Sequence, residues 1–114
     1  MNEEIVGIGK DIIRGHIDTI VLRLLVEQDR YGYEVYKEVL ARSDGEYELK
    51  EPSLYSAFRR LESQAYIRAY WGEESLGGRR KYYAITETGV EYCKKLCSEW
   101  QSAKKILDKL VGEE

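Results

Sequence analysis

The sequence predicts a mainly α-helical protein with a small β-hairpin. Apolar residues recur at three- and four-residue steps in four stretches, and two segments rich in β-forming residues flank a glycine-containing loop. With 114 residues, of which 43% are hydrophobic and 34% charged, the chain suits one globular domain with a modest core. We therefore expect a compact helical protein that needs a partner to bury further apolar surface.

The first two predicted helices lie in the N-terminal half. Residues 11–28 carry one apolar stripe, formed by Ile13, Ile17, Ile20, Val21, Leu24 and Leu25. After a polar break at 29–32, the same spacing returns in Val35, Tyr36, Val39 and Leu40. Residues 43–45, Ser-Asp-Gly, end this second helix of about ten residues.

A third helix follows the polar link at 46–51. Pro52 suits the first turn of a helix, because its missing N–H is not needed there. One side of this helix is expected to bury Leu54, Phe58 and Leu61. The other side carries Ser53, Ser56, Arg59, Arg60 and Ser63.

Residues 66–71 and 81–85 are predicted to pair as a two-stranded hairpin across the loop at 72–78. Thr86 can then cap a long final helix that begins near Glu87. Three helices, a hairpin and a helix are the order of a winged helix-turn-helix. In that fold the third helix enters the DNA major groove and the hairpin, or wing, reaches the neighbouring backbone or minor groove.

The wing begins with a local concentration of cations. Gly77 and Gly78 suit a hairpin tip, and Arg79, Arg80 and Lys81 follow directly. Taken alone, such a run is also typical of a solvated surface turn. Because strand residues alternate sides, one phosphate row can be met by Arg79 and Lys81 or by Arg80, and the sequence does not choose between them.

The distribution of charge supports a polyanionic partner. The formal net charge is −3, yet residues 52–82 carry +3 while residues 1–51 carry −5 and residues 83–114 carry −1. No apolar run approaches the roughly 20 residues of a membrane span, and the N-terminus lacks the order of a secretion signal, so we expect a cytoplasmic protein. With a single histidine and no phosphate-binding glycine loop, neither a cofactor nor an enzymatic activity is predicted.

Three motifs carry a resemblance to a known family. Tyr-Gly-Tyr-Glu-Val at 31–35, Pro-Ser-Leu-Tyr-Ser-Ala-Phe-Arg-Arg-Leu-Glu at 52–62 and Gly-Gly-Arg-Arg-Lys-Tyr-Tyr-Ala-Ile-Thr at 77–86 stand in the order and spacing of PadR transcriptional regulators. The likeness runs from about residue 17 to 89, and the short final helix resembles the small members. The chain departs from the family in lacking a Ser or Asn cap before Pro52, and in having Ser53 for Thr and Ser56 for Pro.

The resemblance implies that double-stranded DNA is the partner. It implies contacts from Tyr55, from the polar face of the third helix and from the wing, with Tyr36 and Lys37 as weaker candidates for backbone contact. Two alternatives stay open, namely that Tyr55 is an edge-of-core residue and that Arg59 forms only a surface pair with Glu62. The full set of predicted DNA-binding residues is Tyr36, Lys37, Ser53, Tyr55, Ser56, Arg59, Arg60, Gly78, Arg79, Arg80 and Lys81. Ser53, Ser56 and Arg60 are expected to determine which DNA sequence is bound.

A heptad stripe on the final helix predicts a homodimer. Its members are Cys93, Leu96, Trp100, Ala103, Leu107 and Leu110. The stripe has more apolar surface than a monomer of this size can cover, so residues 87–114 are expected to form a dimerisation helix beside a DNA-binding unit at 1–86, with help from the N-terminal helix. Two DNA-reading heads would then address a palindromic operator with half-sites about one DNA turn apart.

Trp100 also suggests a ligand site. In small PadR proteins, resemblance implies a pore at the dimer centre that accepts planar drug-like compounds. Here Ile12, His16 and Thr19 share the face of the first helix that would line it. Lys104 adds a cationic edge, which favours a neutral or acidic aromatic effector. The alternative is that Trp100 is a dimer-core residue without a ligand.

These inferences lead to one main functional prediction. We expect a dimeric repressor that a small aromatic effector releases from DNA. The alternatives are a winged-helix module that holds an acidic protein partner, and a drug-sensing dimer with weak DNA contact. Cys93 and Cys97, four residues apart, are expected to be free thiols, and a Cys93 that faced its mate across the dimer axis would allow a redox switch.

Overall fold

The computed structural model describes residues 9–73 and 78–112. Its principal helices are α1 (Ile17–Glu27), α2 (Gly32–Arg42), α3 (Glu51–Ser63) and α4 (Glu87–Val111). Its strands are β1 (Arg30–Tyr31), β2 (Ile67–Trp71) and β3 (Lys81–Ile85), and they form one antiparallel sheet in the order β1-β3-β2. The predicted mainly α fold with a β-hairpin is confirmed.

The first predicted helix is interrupted. Residues 9–14 are helical, but residues 15 and 16 form a turn before α1 begins. The Gly15 amide donates to the Ile12 carbonyl at 3.2 Å and the His16 amide donates to the Ile13 carbonyl at 2.7 Å, which are the short-range bonds of a tightened turn. The continuous helix predicted at 11–28 was therefore wrong in its N-terminal part, because the apolar spacing continues through the turn at residues 15 and 16.

The helices α2 and α3 begin and end where the sequence indicated. The amide of Tyr31 donates to the Glu34 carboxylate at 3.2 Å at the start of α2. The start of α3 has Pro52 in its first turn but no side-chain cap from Lys50, as the sequence predicted. The polar link before α3 also contains Leu49, which is completely buried and was not assigned to the core.

The core lies between the helices and the inner face of the sheet. Phe58 of α3 stacks on Tyr83 of β3, with ring centroids 3.9 Å apart and planes 13° apart. The buried apolar side chains around this pair come from each of the helices and from the sheet: Val21, Leu22, Leu25, Val35, Leu49, Leu54, Leu61, Ile67 and Cys93. The sheet is thereby fixed against α3, so the wing and the third helix share one rigid unit.

The sheet has a third strand that the sequence did not reveal. Residues Arg30 and Tyr31 pair with Tyr83 and Tyr82 on the free side of β3. Arg30 is buried and its guanidinium donates to the Leu24 carbonyl at 3.0 Å and to Glu27 at 2.7 Å. Two residues are too few to show the alternating pattern of a strand, so residues 29–32 were predicted to be only a polar break between helices.

The final helix is divided between core and surface. Its start is capped as predicted, since the Thr86 hydroxyl accepts from the Gly89 amide at 3.0 Å. Cys93 is buried within its own subunit, packed in the core, and burial raises the pKa of its thiol to about 11. Cys93 is therefore covered by its own subunit, which leaves little of its surface for the predicted dimer seam or for a redox switch across a dimer axis.

The distal half of α4 is exposed. Its uncovered apolar side chains are Ile106, Leu107, Leu110 and Val111. Cys93 and Cys97 are free thiols. In the ranges 9–73 and 78–112, none of the helices combines the length and hydrophobicity of a membrane-crossing segment.

Candidate nucleic-acid interface and ligand pocket

The three wing cations are exposed and lie on two faces of the sheet. Lys81 pairs with Trp71 across the strands, so both point to the same face as Tyr83, which is the face that packs on α3. The Arg79 guanidinium lies over the Trp71 ring at 5.2 Å, on this side. The geometry thus groups Arg79 with Lys81 on the side of the third helix.

Arg80 lies on the opposite face. Its guanidinium sits 4.7 Å from the ring centroid of Tyr31, whose neighbours across the sheet are Tyr82 and then Tyr70. Gly78 has a φ of 98°, a backbone angle that favours glycine, directly before these cations. Gly77 lies outside the described residues.

The polar face of α3 is arranged as the sequence indicated. Ser53 and Arg59 are exposed and Ser56 is half-buried. Tyr55 is 38% exposed, and its ring meets Phe58 edge to face at 5.4 Å. Tyr55 therefore combines an edge-of-core position with an accessible ring.

Arg60 is an exposed residue of α3 whose guanidinium is paired with Asp18 of α1. Its Nη2 donates to Asp18 Oδ1 at 2.5 Å and its Nε donates to Asp18 Oδ2 at 3.2 Å. This hydrogen bonding is the main reason that the pKa of Arg60 is raised. In this arrangement Arg60 joins α3 to α1, and a base contact would require the pair to break. Within the described part of the chain, Arg59 has no such partner.

The N-terminal end of α2 adds an aromatic surface beside α3. The Tyr36 hydroxyl donates to the Glu48 carboxylate at 2.7 Å, and this bond is the main reason that the pKa of Tyr36 is raised. Tyr33 stacks on Tyr36 at 6.0 Å, and the Lys37 ammonium lies 5.2 Å from the Tyr33 ring. Sequence reasoning missed Tyr33 and Glu48, although the Tyr-Gly-Tyr motif pointed to the former.

These side chains border an open cleft between the starts of α2 and α3. The cleft measures about 390 Å³, and its lining residues are Gly32, Tyr33, Tyr36, Glu48, Lys50, Glu51, Leu54 and Tyr55. A Cβ atom on Gly32 would overlap the Tyr55 hydroxyl, so a larger residue at this position would have to displace the Tyr55 ring. Predicted DNA-binding residues from two helices thus meet at one surface.

A second cavity contains three of the five predicted effector residues. His16, Thr19 and Trp100 line a space of about 240 Å³ between the start of α1 and the middle of α4, and the His16 and Trp100 rings touch each other at its border. The remaining lining residues are Gly15, Leu96, Glu99 and Ala103. His16 Nδ1 lies 2.9 Å from the Ile12 carbonyl, so this nitrogen carries the proton and donates.

The other two predicted effector residues lie outside the cavity wall. Ile12 is 56% exposed, and the Lys104 ammonium lies over the Trp100 ring, 6.0 Å from the ring centroid. Glu99, which was not among the predicted effector residues, places a carboxylate in the wall. Its position one residue before Trp100 was the available signal.

A larger apolar groove adjoins Trp100 on the side of α2. It measures about 470 Å³ and is bordered mainly by apolar and aromatic residues of α1, α2 and α4. Two arginines, Arg23 and Arg42, also border it. Ile20, Leu24, Val39, Tyr47 and Cys97 form much of its wall. Across residues 9–73 and 78–112, no three His, Cys, Asp or Glu side chains are grouped closely enough to hold a metal ion.

Comparison with known proteins agrees with this architecture. Residues 21–95 match the model of the transcriptional regulator PadR-like family. An uncharacterised protein of Lysinibacillus sphaericus is 50% identical over 98 residues, which cover 86% of this chain and 90% of that protein. A solved transcriptional regulator of Clostridium thermocellum is 50% identical with a TM-score of 0.82, and the match covers 89% of this chain and 95% of that one.

A second solved structure links the same fold to the family by description. It is a PadR family transcription regulator from hypervirulent Clostridium difficile R20291, 38% identical with a TM-score of 0.75, and the match covers 85% of this chain and 99% of that one. The family match spans most of the helices and the wing, where the three motifs lie. With this fold, these motifs and this similarity, the chain belongs to the PadR-like family of transcriptional regulators, which act by binding DNA.

Proposed function

We propose that this regulator is a homodimeric repressor that an aromatic effector releases from a palindromic operator. The observation that carries the proposal is the His16–Trp100 cavity, because it lies between α1 and α4, the two helices expected to form the dimer. A ligand placed there touches the elements that set the separation of two DNA-reading heads. It shifts the equilibrium only if it binds one arrangement better than the other.

For DNA contact, we assign α3 to the major groove and the wing to the backbone. Ser53, Ser56 and Arg59 are the groove candidates on α3, and Tyr55 borders them. Arg79 and Lys81 lie on the α3 side of the sheet and suit the phosphates that flank the groove. The remaining candidates are Tyr36, Lys37, Gly78 and Arg80, whereas Arg60 is held by its bond to Asp18.

For dimerisation, the support comes from apolar surface. Leu107 and Leu110 at the distal end of α4 are 51% and 77% exposed, and Ile106 and Val111 lie beside them. The apolar groove between α1, α2 and α4 offers a complementary wall. Burial of both surfaces by a second copy removes them from water, which favours association by about 25 cal/mol for each Å² of apolar surface. Leu96, Trp100 and Ala103 would lie near the centre.

For the effector, the cavity combines an indole face with opposite charges nearby. Glu99 is one of the lining residues, and the Lys104 ammonium lies over the Trp100 ring. A planar aromatic molecule in this cavity can stack on the indole of Trp100. Lys104 favours an acidic or neutral compound, whereas Glu99 works against an acidic one.

The test begins with selection of bound duplexes from random DNA by the full-length protein. We expect a palindromic sequence whose half-sites lie about one DNA turn apart, with affinity that falls as salt rises. Recovery of no duplex at low salt would support the protein-interaction alternative. If planar aromatics quench Trp100 fluorescence but do not change duplex binding, the DNA-binding role stands and the effector role is contradicted.

A further inference from the structure

The ion pair between Asp18 and Arg60 joins the recognition helix to the wall of the ligand cavity. Asp18 immediately precedes Thr19, which lines the cavity on α1, and it follows His16 by two residues. Arg60 lies on α3, 42 residues along the chain, and contacts both carboxylate oxygens. A displacement of α1 can therefore displace α3, because two hydrogen bonds join the helices.

The cavity is bordered on its other side by α4. Tyr92 of α4 packs against the core and stacks on Tyr66 with ring centroids 4.2 Å apart, and it stands one turn before Leu96 of the cavity wall. The pair of Asp18 and Arg60 thus joins α3 to α1, the helix that borders the cavity together with α4.

The exposure of the pair suits a link that can open. The side chains of Arg60 and Asp18 are 47% and 26% exposed, so solvent screens their attraction. Such a pair adds little to stability, yet its bidentate geometry defines the relative position of two helices. A contact that can be either closed or open is the kind of element that coupling between distant sites requires.

We propose that Asp18 and Arg60 transmit occupancy of the His16–Trp100 cavity to the DNA-recognition helix. Both are positioning residues: Arg60 acts through its hold on α1 and not by reading a base. This inference rests on the proposed effector response. A ligand between α1 and α4 displaces α1, and α3 follows while the pair is closed. Without the pair, the cavity can fill without moving α3.

The experiment measures DNA affinity with and without an aromatic probe in the full-length protein. The duplex is the one recovered by selection, and the probe is anilinonaphthalene sulfonate, an anion that does not itself bind DNA. In the wild type we expect the probe to weaken DNA binding by at least about 5-fold, the lower end of common couplings. By reciprocity, DNA should weaken probe binding by the same factor.

The variants break or preserve the pair. Asp18→Asn and Arg60→Gln should each reduce the effect of the probe to less than about 2-fold, while probe affinity for the free protein changes little. Asp18→Glu keeps a carboxylate and should retain the wild-type factor, which controls for loss of folding. Asp11→Asn removes an exposed carboxylate paired with Arg14 in the preceding helical segment and should also retain the factor.

The outcomes separate this inference from the function on which it rests. A full wild-type response in Asp18→Asn and Arg60→Gln would overturn the coupling role and leave effector release intact. A response retained in Arg60→Gln together with weaker DNA binding would assign Arg60 to DNA contact instead. A wild type that binds DNA and probe without mutual effect would remove effector release, and the coupling role with it.

Discussion

The imidazole of His16 meets the indole of Trp100 edge to face, with ring centroids 4.8 Å apart and planes 70° apart. His16 ends the turn before α1 and Trp100 lies near the middle of α4, so one aromatic contact spans the two helices. His16 Nδ1 donates a hydrogen bond to the Ile12 carbonyl, and this bond fixes the orientation of the imidazole against the indole. A cavity of about 240 Å³ borders this contact, and Trp100 is partly exposed.

Trp100 should report directly on ligands in this cavity. We expect planar aromatics to quench the fluorescence of the wild type, and Trp100→Ala to lose that quenching together with most of the probe affinity, because stacking surface is removed. The matched control is Trp71→Ala, which removes the other tryptophan, on the wing and far along the chain from Trp100. Equal loss of probe binding in both variants would contradict the assignment.

The wing cations should determine DNA affinity more than sequence preference. Replacing Arg79 and Lys81 by Gln is expected to weaken binding to all duplexes alike and to reduce the slope of log affinity against log salt by about one for each phosphate that is no longer neutralised. Lys94→Gln, on an exposed face of α4 beside Glu91, is the control and should leave the slope unchanged. A changed base preference with an unchanged slope would place Arg79 and Lys81 on base edges.

The distal half of α4 should hold the dimer together. Leu107→Glu and Leu110→Glu place charges on apolar side chains that are exposed in the single subunit, so the subunit itself should remain folded. We expect light scattering to show a shift from dimer to monomer at micromolar concentration, with helical circular dichroism retained. Lys105→Glu on the same helix provides the control. A dimer that persists in both leucine variants would require a different interface.

Gly89 should be essential for the fit of α4 against the start of β2. A Cβ atom at this position would collide with the Tyr66 carbonyl oxygen and would lie 2.8 Å from Ile85 Cγ1. Gly89→Ala is expected to destabilise the protein by about 1–3 kcal/mol, the usual cost of overpacking. Urea denaturation at a fixed protomer concentration measures the effect. Gly9→Ala, whose Cβ atom would meet nothing within 4 Å and which lies in a helix, should not destabilise the protein.

The ion pairs of Glu27 should make stability depend on acid pH. The hydrogen bond from Arg42, with a further contribution from Arg30, lowers the pKa of Glu27 from 4.5 to about 2. Because the folded-state pKa is depressed, this stabilisation is present above pH 4.5 and is lost as the pH falls toward 2. We expect the difference in unfolding free energy between wild type and Glu27→Gln to be constant at neutral pH and to vanish across that window.

A control for Glu27 comes from an exposed acid in a different setting. Glu46→Gln removes the same charge in the loop after α2, where the described residues form no ion pair with it, and it controls for the loss of one negative charge. If the wild type and Glu27→Gln differ equally at pH 7 and pH 2, the contribution of Glu27 does not come from its ionised form.

Local patterns in the chain were enough to predict the helices, the hairpin and the family. Apolar spacing identified the buried face of α3, with Leu54, Phe58 and Leu61, because a helix that packs on a core must repeat its apolar residues every three or four positions. Local chemistry identified the Thr86 cap, since the cap and its amide are three residues apart. The wing cations were visible for the same reason, as neighbours in the chain.

Only the tertiary structure shows which residues cover each apolar or polar helix face. Periodicity shows that a stripe is apolar, but it does not say whether the cover is the same subunit or another, so Cys93 was assigned to a dimer seam and lies in the core. Arg60 was predicted to contact DNA, but its bond to Asp18 was not predicted, because no local signal relates residues 42 positions apart. Contacts of this kind depend on how helices pack together, and that is set by the whole core and not by any one segment.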